Sequence, residues 1–264
     1  MPFQFTPMPI LFSIGSFNVY SWGLLNTIAI LVAGFFIFRA AKKHFSEAVI
    51  FEMLSSIVIG GIILARLAFV LINFSEFPDF FNVLSLWTGG MEGFGAIVGG
   101  ILGALIYSRF KKIDVWKFLD IAAPWLALAF AIGRIGCFLR GCCFGLPTDM
   151  PWGILYANGS LASAYVSGAV HPTQIYHSIA DFVIFLILII IAKRKERKIL
   201  KLKENSGSMF LLFLVLYSIE RFIIDFVRWK PATDMLSFGI SIQQFAYLII
   251  FAISLIMIIR NRKR

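Results

Sequence analysis

Seven stretches of this chain are apolar for long enough to cross a lipid bilayer, and that excludes most folds at once. A transmembrane helix needs about 20 mostly apolar residues. The stretches run over residues 20–38, 49–73, 93–108, 118–139, 173–192, 208–227 and 241–259. The third is short and glycine-rich, and the fourth ends at Arg134 rather than in a clean apolar run. Only 14% of the 264 residues are charged and 59% are hydrophobic, whereas a soluble domain carries about 25% charged residues. A soluble enzyme, a disordered chain and a nucleic-acid-binding domain are therefore excluded, the net charge of +10 notwithstanding. The composition predicts an all-α polytopic membrane protein with seven transmembrane helices, residues 1–264 forming a single integral domain whose partner is the lipid bilayer and not a nucleic acid. The first 18 residues lack the basic region that opens a cleavable signal peptide.

The position of the basic residues sets an orientation. Arg39, Lys42 and Lys43 follow the first stretch. Arg109, Lys111, Lys112 and Lys117 separate the third from the fourth. The run Lys193 to Lys203 separates the fifth from the sixth, and Arg260 to Arg264 closes the chain. These clusters hold 18 of the 24 Lys and Arg. They share one side only with seven crossings, the N-terminus outside and the C-terminus cytoplasmic, as the positive-inside rule requires. The opposite segments, 74–92, 140–172 and 228–240, carry Trp87, Trp152 and Trp229, which suit a lipid–water interface. Residues 140–172 are the longest of them and are expected to form a small extracytoplasmic head.

A few charges remain inside the apolar stretches: Arg66, Asp120, Arg134, Asp181, Glu220, Arg221, Asp225 and Arg228. A charge at the bilayer centre costs about 2.5–3.5 kcal/mol on insertion scales, so such groups pair inside the protein or bind something polar. Asp120 and Asp181 read as structural partners or helix-end charges. Arg134 and Arg221 fall in the outer halves of their helices, where guanidinium groups can hold a lipid phosphate bidentately. Internal pairing is the alternative, for instance Arg221 with Asp225 at the i,i+4 spacing.

Three motifs stand out. His171-Pro172-Thr173-Gln174-Ile175-Tyr176 opens the fifth stretch, with His171 able to act as acid or base near neutral pH. Gly95, Gly99 and Gly103 have the small-xxx-small spacing of close helix packing, and the preceding Gly89–Gly95 run could instead let backbone approach a headgroup. Residues 133–145 hold four glycines, two arginines and all three cysteines, Cys137, Cys142 and Cys143. The thiols raise metal and redox chemistry as alternatives to packing or a lipid-pocket lining. A closed zinc site takes four ligands, and His171 is the only external residue to suggest, so no metal and no cofactor are expected.

Taken together, in order and along most of the chain, these blocks resemble the prolipoprotein diacylglyceryl transferases of the bacterial inner membrane. Gly133, Arg134, Gly136, Phe138 and Gly145 match the frame of that family's G-R-x-G-N-F-x-N-x-E-x-x-G signature. His171 to Tyr176 match its H-P-T-Q-x-Y block, and Tyr217, Arg221 and Phe222 its Y-x-x-x-R-F block. Ala65-Arg66-Leu67 and Asp120 through Pro124 also resemble family positions. The chain departs where Cys137, Arg140 and Cys142 replace two asparagines and a glutamate, where Phe94 replaces a histidine, and where Trp22 replaces a tyrosine.

The resemblance implies transfer of the diacylglyceryl group of phosphatidylglycerol to the lipobox cysteine thiol of a prolipoprotein, forming a thioether and releasing glycerol phosphate. It implies catalytic roles for Arg134, Arg221 and His171, and substrate binding by Arg134, Gly136, Cys137, Cys142, Gly145, Tyr217 and Arg66. The departures leave two other readings, a lipid-binding paralogue with a diverged site and a membrane thiol-redox protein.

Overall fold

The computed structural model of the chain describes residues 3–15, 17–74, 90–192, 207–236 and 239–263. The expected outer residues Glu76, Asp79 and Trp87 and the basic run from Lys193 to Lys203 lie outside the described residues.

Among the described residues there are seven α-helices, one in each apolar stretch: α1 (Ser21–Ala41), α2 (Glu47–Ile72), α3 (Gly93–Lys111), α4 (Val115–Arg140), α5 (Thr173–Ala192), α6 (Ser208–Ile224) and α7 (Ile242–Lys263). Five of them, α1, α2, α4, α5 and α7, are long and apolar enough to cross a membrane by length and composition. The protein is a mostly helical, polytopic membrane protein. At 17 residues α6 falls at the short end of the range for a crossing, and past Asp225 it gives way to a non-helical segment.

The fold is not all-α. Five short strands are present: β1 (Phe3–Phe5), β2 (Ile10–Ile14), β3 (Phe17–Tyr20), β4 (Ile154–Tyr156) and β5 (Ala169–Val170). β2 and β3 form an antiparallel hairpin just before α1. β4 lies between β1, parallel to it, and β5, antiparallel to it. Strands of two to five residues are too short to impress a period of two on the sequence, so hydropathy passes over them.

The chain divides into two compact units. In the unit Phe38–Phe118, α2 packs against α3 through glycine. A Cβ added at Gly99 would run into the Gly60 carbonyl, at Gly103 into the Ser56 carbonyl, and at Gly95 into the Leu64 carbonyl. The Ser56 hydroxyl donates to the Gly103 carbonyl across the same seam at 2.8 Å. Backbone-to-backbone approach of this kind is what small residues permit in a membrane, where no hydrophobic drive brings helices together.

In the unit Met1–Ile37 and Leu119–Arg264, the core joins Ala123 and Ala127 of α4, Ile184 and Leu188 of α5, Leu211 and Phe213 of α6, and Ile258 of α7. Asp120 tethers the start of α6: its Oδ2 accepts from the Gly207 amide at 3.1 Å, and its Oδ1 from those of Met209 and Phe210 at 2.9 and 3.1 Å. A carboxylate on otherwise orphaned N-terminal amides is favoured by hydrogen bonding and by the helix dipole. Asp120 is thus the structural charge its position suggested. At the other end of this unit, β1, β4 and β5 and the segment between α4 and α5 close over a small core of Phe144, Ile154, Tyr156, Ala162 and Val170.

Candidate active site

The signature segment is the C-terminal end of α4. Gly141 takes a left-handed conformation at φ 76°, its amide bonds to the Phe138 carbonyl at 2.9 Å, and the Cys142 amide reaches back to the Cys137 carbonyl at 3.2 Å. This is a Schellman stop, and it brings the residue after the glycine against the last turn of the helix. Here those two residues are Cys142 and Cys137. Cys143 is also left-handed, at φ 60°, a conformation that costs a non-glycine residue about 1–2 kcal/mol. The three sulfurs consequently lie within 4.8 Å of one another, and all three thiols are free.

The turn is pinned from α5. The Thr173 hydroxyl donates to the Cys143 carbonyl at 2.6 Å, and the Gln174 amide donates to the Cys142 carbonyl at 2.6 Å and to the Tyr156 hydroxyl at 3.0 Å. Thr173 and Gln174 are fully buried. Arg228 holds its guanidinium 3.8 Å from Cys143 Sγ. Hydrogen bonding with the Cys137 and Cys142 thiols, reinforced by the charges of Arg228 and Arg134, holds the Cys143 thiol well below the usual thiol range. The same contacts, seen from the partner's side, push Cys142 up. Burial, ahead of every other cause, pushes Tyr156 up to about 12.

Gly145 follows the turn and is locked by its surroundings. Its amide bonds to the His171 carbonyl at 2.9 Å, and a Cβ there would lie 2.6 Å from His171 and 2.7 Å from the Val227 carbonyl. Gly136 faces Trp22 and Leu25 on α1, with a built Cβ 3.0 Å from Leu25 Cβ. At both glycines the close approach is made by other parts of the protein.

His171 is half-buried, and its Nδ1 lies 3.1 Å from the Tyr176 hydroxyl. That hydroxyl also accepts from Trp152 Nε1 at 2.7 Å.

A second cluster lies between α5 and α6. His177 Nδ1 is hydrogen-bonded to Glu220 Oε1. Arg221 reaches Glu220 Oε2 from Nε at 3.4 Å and Asp181 Oδ2 from Nη2 at 3.9 Å. Its guanidinium stacks over Tyr217, 4.6 Å from the ring centroid. All four ionisable groups are more than nine-tenths buried. The charge of Arg134, which is half-buried on α4, reaches His177, Asp181 and Glu220. His177 Nε2, both Asp181 carboxylate oxygens, Ser218 Oγ, Glu220 Oε2 and Arg221 Nε have no hydrogen-bond partner among the described residues. Polar atoms that are buried and unpaired are costly, so a concentration of them calls for a functional explanation.

Arg221 does not pair with Asp225. Past the end of α6, Asp225 turns instead to Lys230 at 2.5 Å, to the Ser241 hydroxyl at 2.6 Å and to Arg228 at 3.7 Å. Arg134, Arg221 and Tyr217 lie in one unit, and the charge of Arg134 reaches Tyr217; the sequence reading did not name His177 and gave Glu220 no site role. A signal was present: Gln174, His177 and Asp181 recur at three- and four-residue spacing, which puts a polar stripe on one face of an apolar helix. Arg66 belongs to the other unit, where it is buried on α2 and donates to the Gly90 carbonyl at 3.0 Å. Phe94, at the histidine position of the family, lies in the first turn of α3.

Comparison with known proteins gives one answer along the whole chain. A family model described as prolipoprotein diacylglyceryl transferase matches residues 9–260. A phosphatidylglycerol–prolipoprotein diacylglyceryl transferase of Clostridium tetani is 33% identical over 257 residues, covering 97% of this chain and 99% of its own. A protein of the same name from Nostoc is 34% identical over 90% of this chain and 84% of its own. Another from Listeria innocua is 31% identical over 96% and 90%.

Proposed function

Because the chain belongs to the prolipoprotein diacylglyceryl transferase family, we propose that it transfers the diacylglyceryl group of phosphatidylglycerol to the lipobox cysteine of prolipoproteins in the bacterial cytoplasmic (inner) membrane. The sulfur forms a thioether with the glyceryl carbon. The carbon–oxygen bond to phosphate breaks, and glycerol phosphate leaves.

The observation that carries this reading is the buried Arg221, stacked on Tyr217, a ring that the charge of Arg134 also reaches, among buried polar atoms that lack hydrogen-bond partners among the described residues. Guanidinium groups there would bind the lipid phosphate and stabilise the second negative charge that forms on it as the bond breaks. Charge stabilisation of this kind, in a site closed to water, is the largest single contribution in many enzymes. His171 would act as the proton donor to the departing phosphate. Tyr217 orients Arg221. Cys137 and Cys142 would complete the substrate pocket, and Gly136 and Gly145 would shape it by holding α1 and the His171 backbone close.

In this reading all seven helices cross the membrane, both units act as one transferase domain, and the N-terminus faces outward with the C-terminus cytoplasmic. The basic residues at the ends of α1, α3 and α7 support that direction. The sheet of β1, β4 and β5 is then the extracytoplasmic head.

The test is a transfer assay in liposomes, with phosphatidylglycerol labelled in its diacylglyceryl moiety and a lipobox peptide. Label should pass to the peptide with the wild type and fall by about 100-fold or more in Arg134→Ala and in Arg221→Ala. A folded wild type that transfers nothing, or two variants as active as it, would overturn the proposal.

A further inference from the structure

The reaction proposed above makes a carbon–sulfur bond, and a thiol must become a thiolate before it attacks carbon. Phe94 occupies the position of the family's histidine, and the Nδ1 of His171 is engaged with the Tyr176 hydroxyl. The three cysteines offer another way to activate the acceptor.

We propose that Cys137, Cys142 and Cys143 form a three-thiolate site for a thiophilic cation such as zinc, with a fourth position open to the acceptor's cysteine. This inference rests on the transferase reading and extends it. The Schellman stop accounts for the contact between Cys137 and Cys142 but not for the third thiol. Cys143 is turned toward them by a left-handed backbone that no glycine relieves. Backbone strain is retained where the surroundings enforce it, and such positions gather at functional sites. Here fully buried Thr173 and Gln174 hold the two carbonyls that fix the turn.

The spacing suits a metal. Zinc–sulfur bonds of about 2.3 Å at tetrahedral angles put sulfurs about 3.8 Å apart, and these already lie within 4.8 Å of one another. Among the described residues no histidine or carboxylate joins the cluster. A set of three protein ligands is the pattern of zinc sites that keep a position for water or substrate. Thiolates select soft cations over magnesium or calcium. Arg228, 3.8 Å from Cys143 Sγ, would donate to a bound thiolate and offset the negative charge of a four-sulfur complex, as the outer partners of metal ligands do.

The step balances without an added oxidant or reductant. The acceptor thiol loses its proton to water as its sulfur binds the cation. An electron pair of that sulfur forms the bond to the glyceryl carbon, and the carbon–oxygen pair leaves with the phosphate.

The experiment loads the purified, detergent-solubilised full chain with cobalt(II), whose thiolate charge-transfer and d–d bands report sulfur ligation. The wild type should bind one ion per chain, give thiolate bands, and lose them on addition of zinc. A lipobox peptide carrying cysteine should shift the d–d bands, and the same peptide carrying serine should not. Cys137→Ser, Cys142→Ser and Cys143→Ser should each lose the stoichiometric binding. Protection of the wild-type thiols from alkylation by zinc, read by mass spectrometry, gives the same answer should a variant fail to fold. No thiolate band in folded wild type overturns the site, and bands indifferent to the cysteine peptide overturn the open position. Phospholipid transfer measured in parallel separates the two proposals. Transfer that persists without any thiolate band defeats this inference alone, while a peptide-responsive site without transfer defeats the transferase reading alone.

Discussion

The guanidinium of Arg221 lies 4.6 Å from the centroid of the Tyr217 ring, one turn earlier on α6. A desolvated cation–π contact is worth about 2 kcal/mol, or about 30-fold in a rate that depends on it. Tyr217→Leu should therefore lower kcat/KM by about that factor, and Tyr217→Phe, which keeps the ring face, by much less. Arg221→Lys keeps the charge but loses the planar fork and the stack, and should cost about 100-fold or more. Equal activity in Tyr217→Leu and the wild type would remove the contact from the mechanism.

His177 and Glu220 are hydrogen-bonded to each other inside the bundle. Removing one leaves the other buried without that partner, at a cost of about 1–3 kcal/mol or more for a charged group. His177→Ala and Glu220→Ala should each lower the unfolding stability by that amount. The double variant should lose clearly less than the sum, with a coupling of about 1 kcal/mol or more. Strict additivity in the cycle would show that the contact stabilises nothing.

The helices were legible in the sequence because an apolar run of membrane length admits few alternatives. Asp120 was legible as a structural charge because a carboxylate inside an apolar stretch needs a polar partner. The strands were not: Phe3–Phe5 and Ile154–Tyr156 are three residues each and pair across some 150 positions of sequence, beyond the reach of any local pattern. Internal pairing of Arg221 was legible as an alternative, but its partners, Glu220 and Asp181, were not. Spacing of four residues offers Asp225, but the helix ends there, and the carboxylate turns to Lys230 and Ser241 instead. His177 was hidden beside a motif, its partner 43 residues away on another helix. The cysteines were legible as belonging to one local site or to none because they fall within seven residues. What brought the third thiol to the other two, the left-handed backbone at Cys143, leaves no trace in residue type.

Gly99 lets the backbones of α2 and α3 touch, whereas Gly34 on α1 has nothing within 4 Å of a built Cβ. Gly99→Ala must force the two helices apart and should cost about 2–3 kcal/mol. Gly34→Ala meets open space and should be neutral or slightly stabilising, since alanine favours the helix by about 1 kcal/mol. Thermal unfolding in detergent distinguishes them. A Gly99→Ala protein as stable as the wild type would mean that the seam opens without penalty.

Asp120 satisfies three amides at the start of α6. Asp120→Ala should destabilise by about 2 kcal/mol, the upper range for losing a helix cap. Asp120→Asn keeps an acceptor oxygen but not the charge and should recover about half of that. Hydrogen exchange should show the loss first at the amides of residues 207–210. Uniform loss of protection, with no excess at those amides, would place the effect elsewhere.

Tyr156 gives the pH dependence. Burial pushes its ionisation from 10.0 up to about 12, so between these values the unfolded chain releases a proton that the folded chain retains. The unfolded state then binds fewer protons, and stability falls as pH rises through that window. Below it the contribution is fully present. Tyr156→Phe loses the hydrogen bond from Gln174 and should be less stable than the wild type at about pH 9, where tyrosine is neutral in both states. It has no phenol to ionise, so the gap between the two proteins should narrow steadily toward about pH 11.5. Thermal unfolding of both proteins in the same detergent across this range measures the gap directly. A gap that stays constant would show that Tyr156 ionises as freely in the folded protein as in the unfolded one, and that the small core of Phe144, Ile154 and Val170 does not shield it.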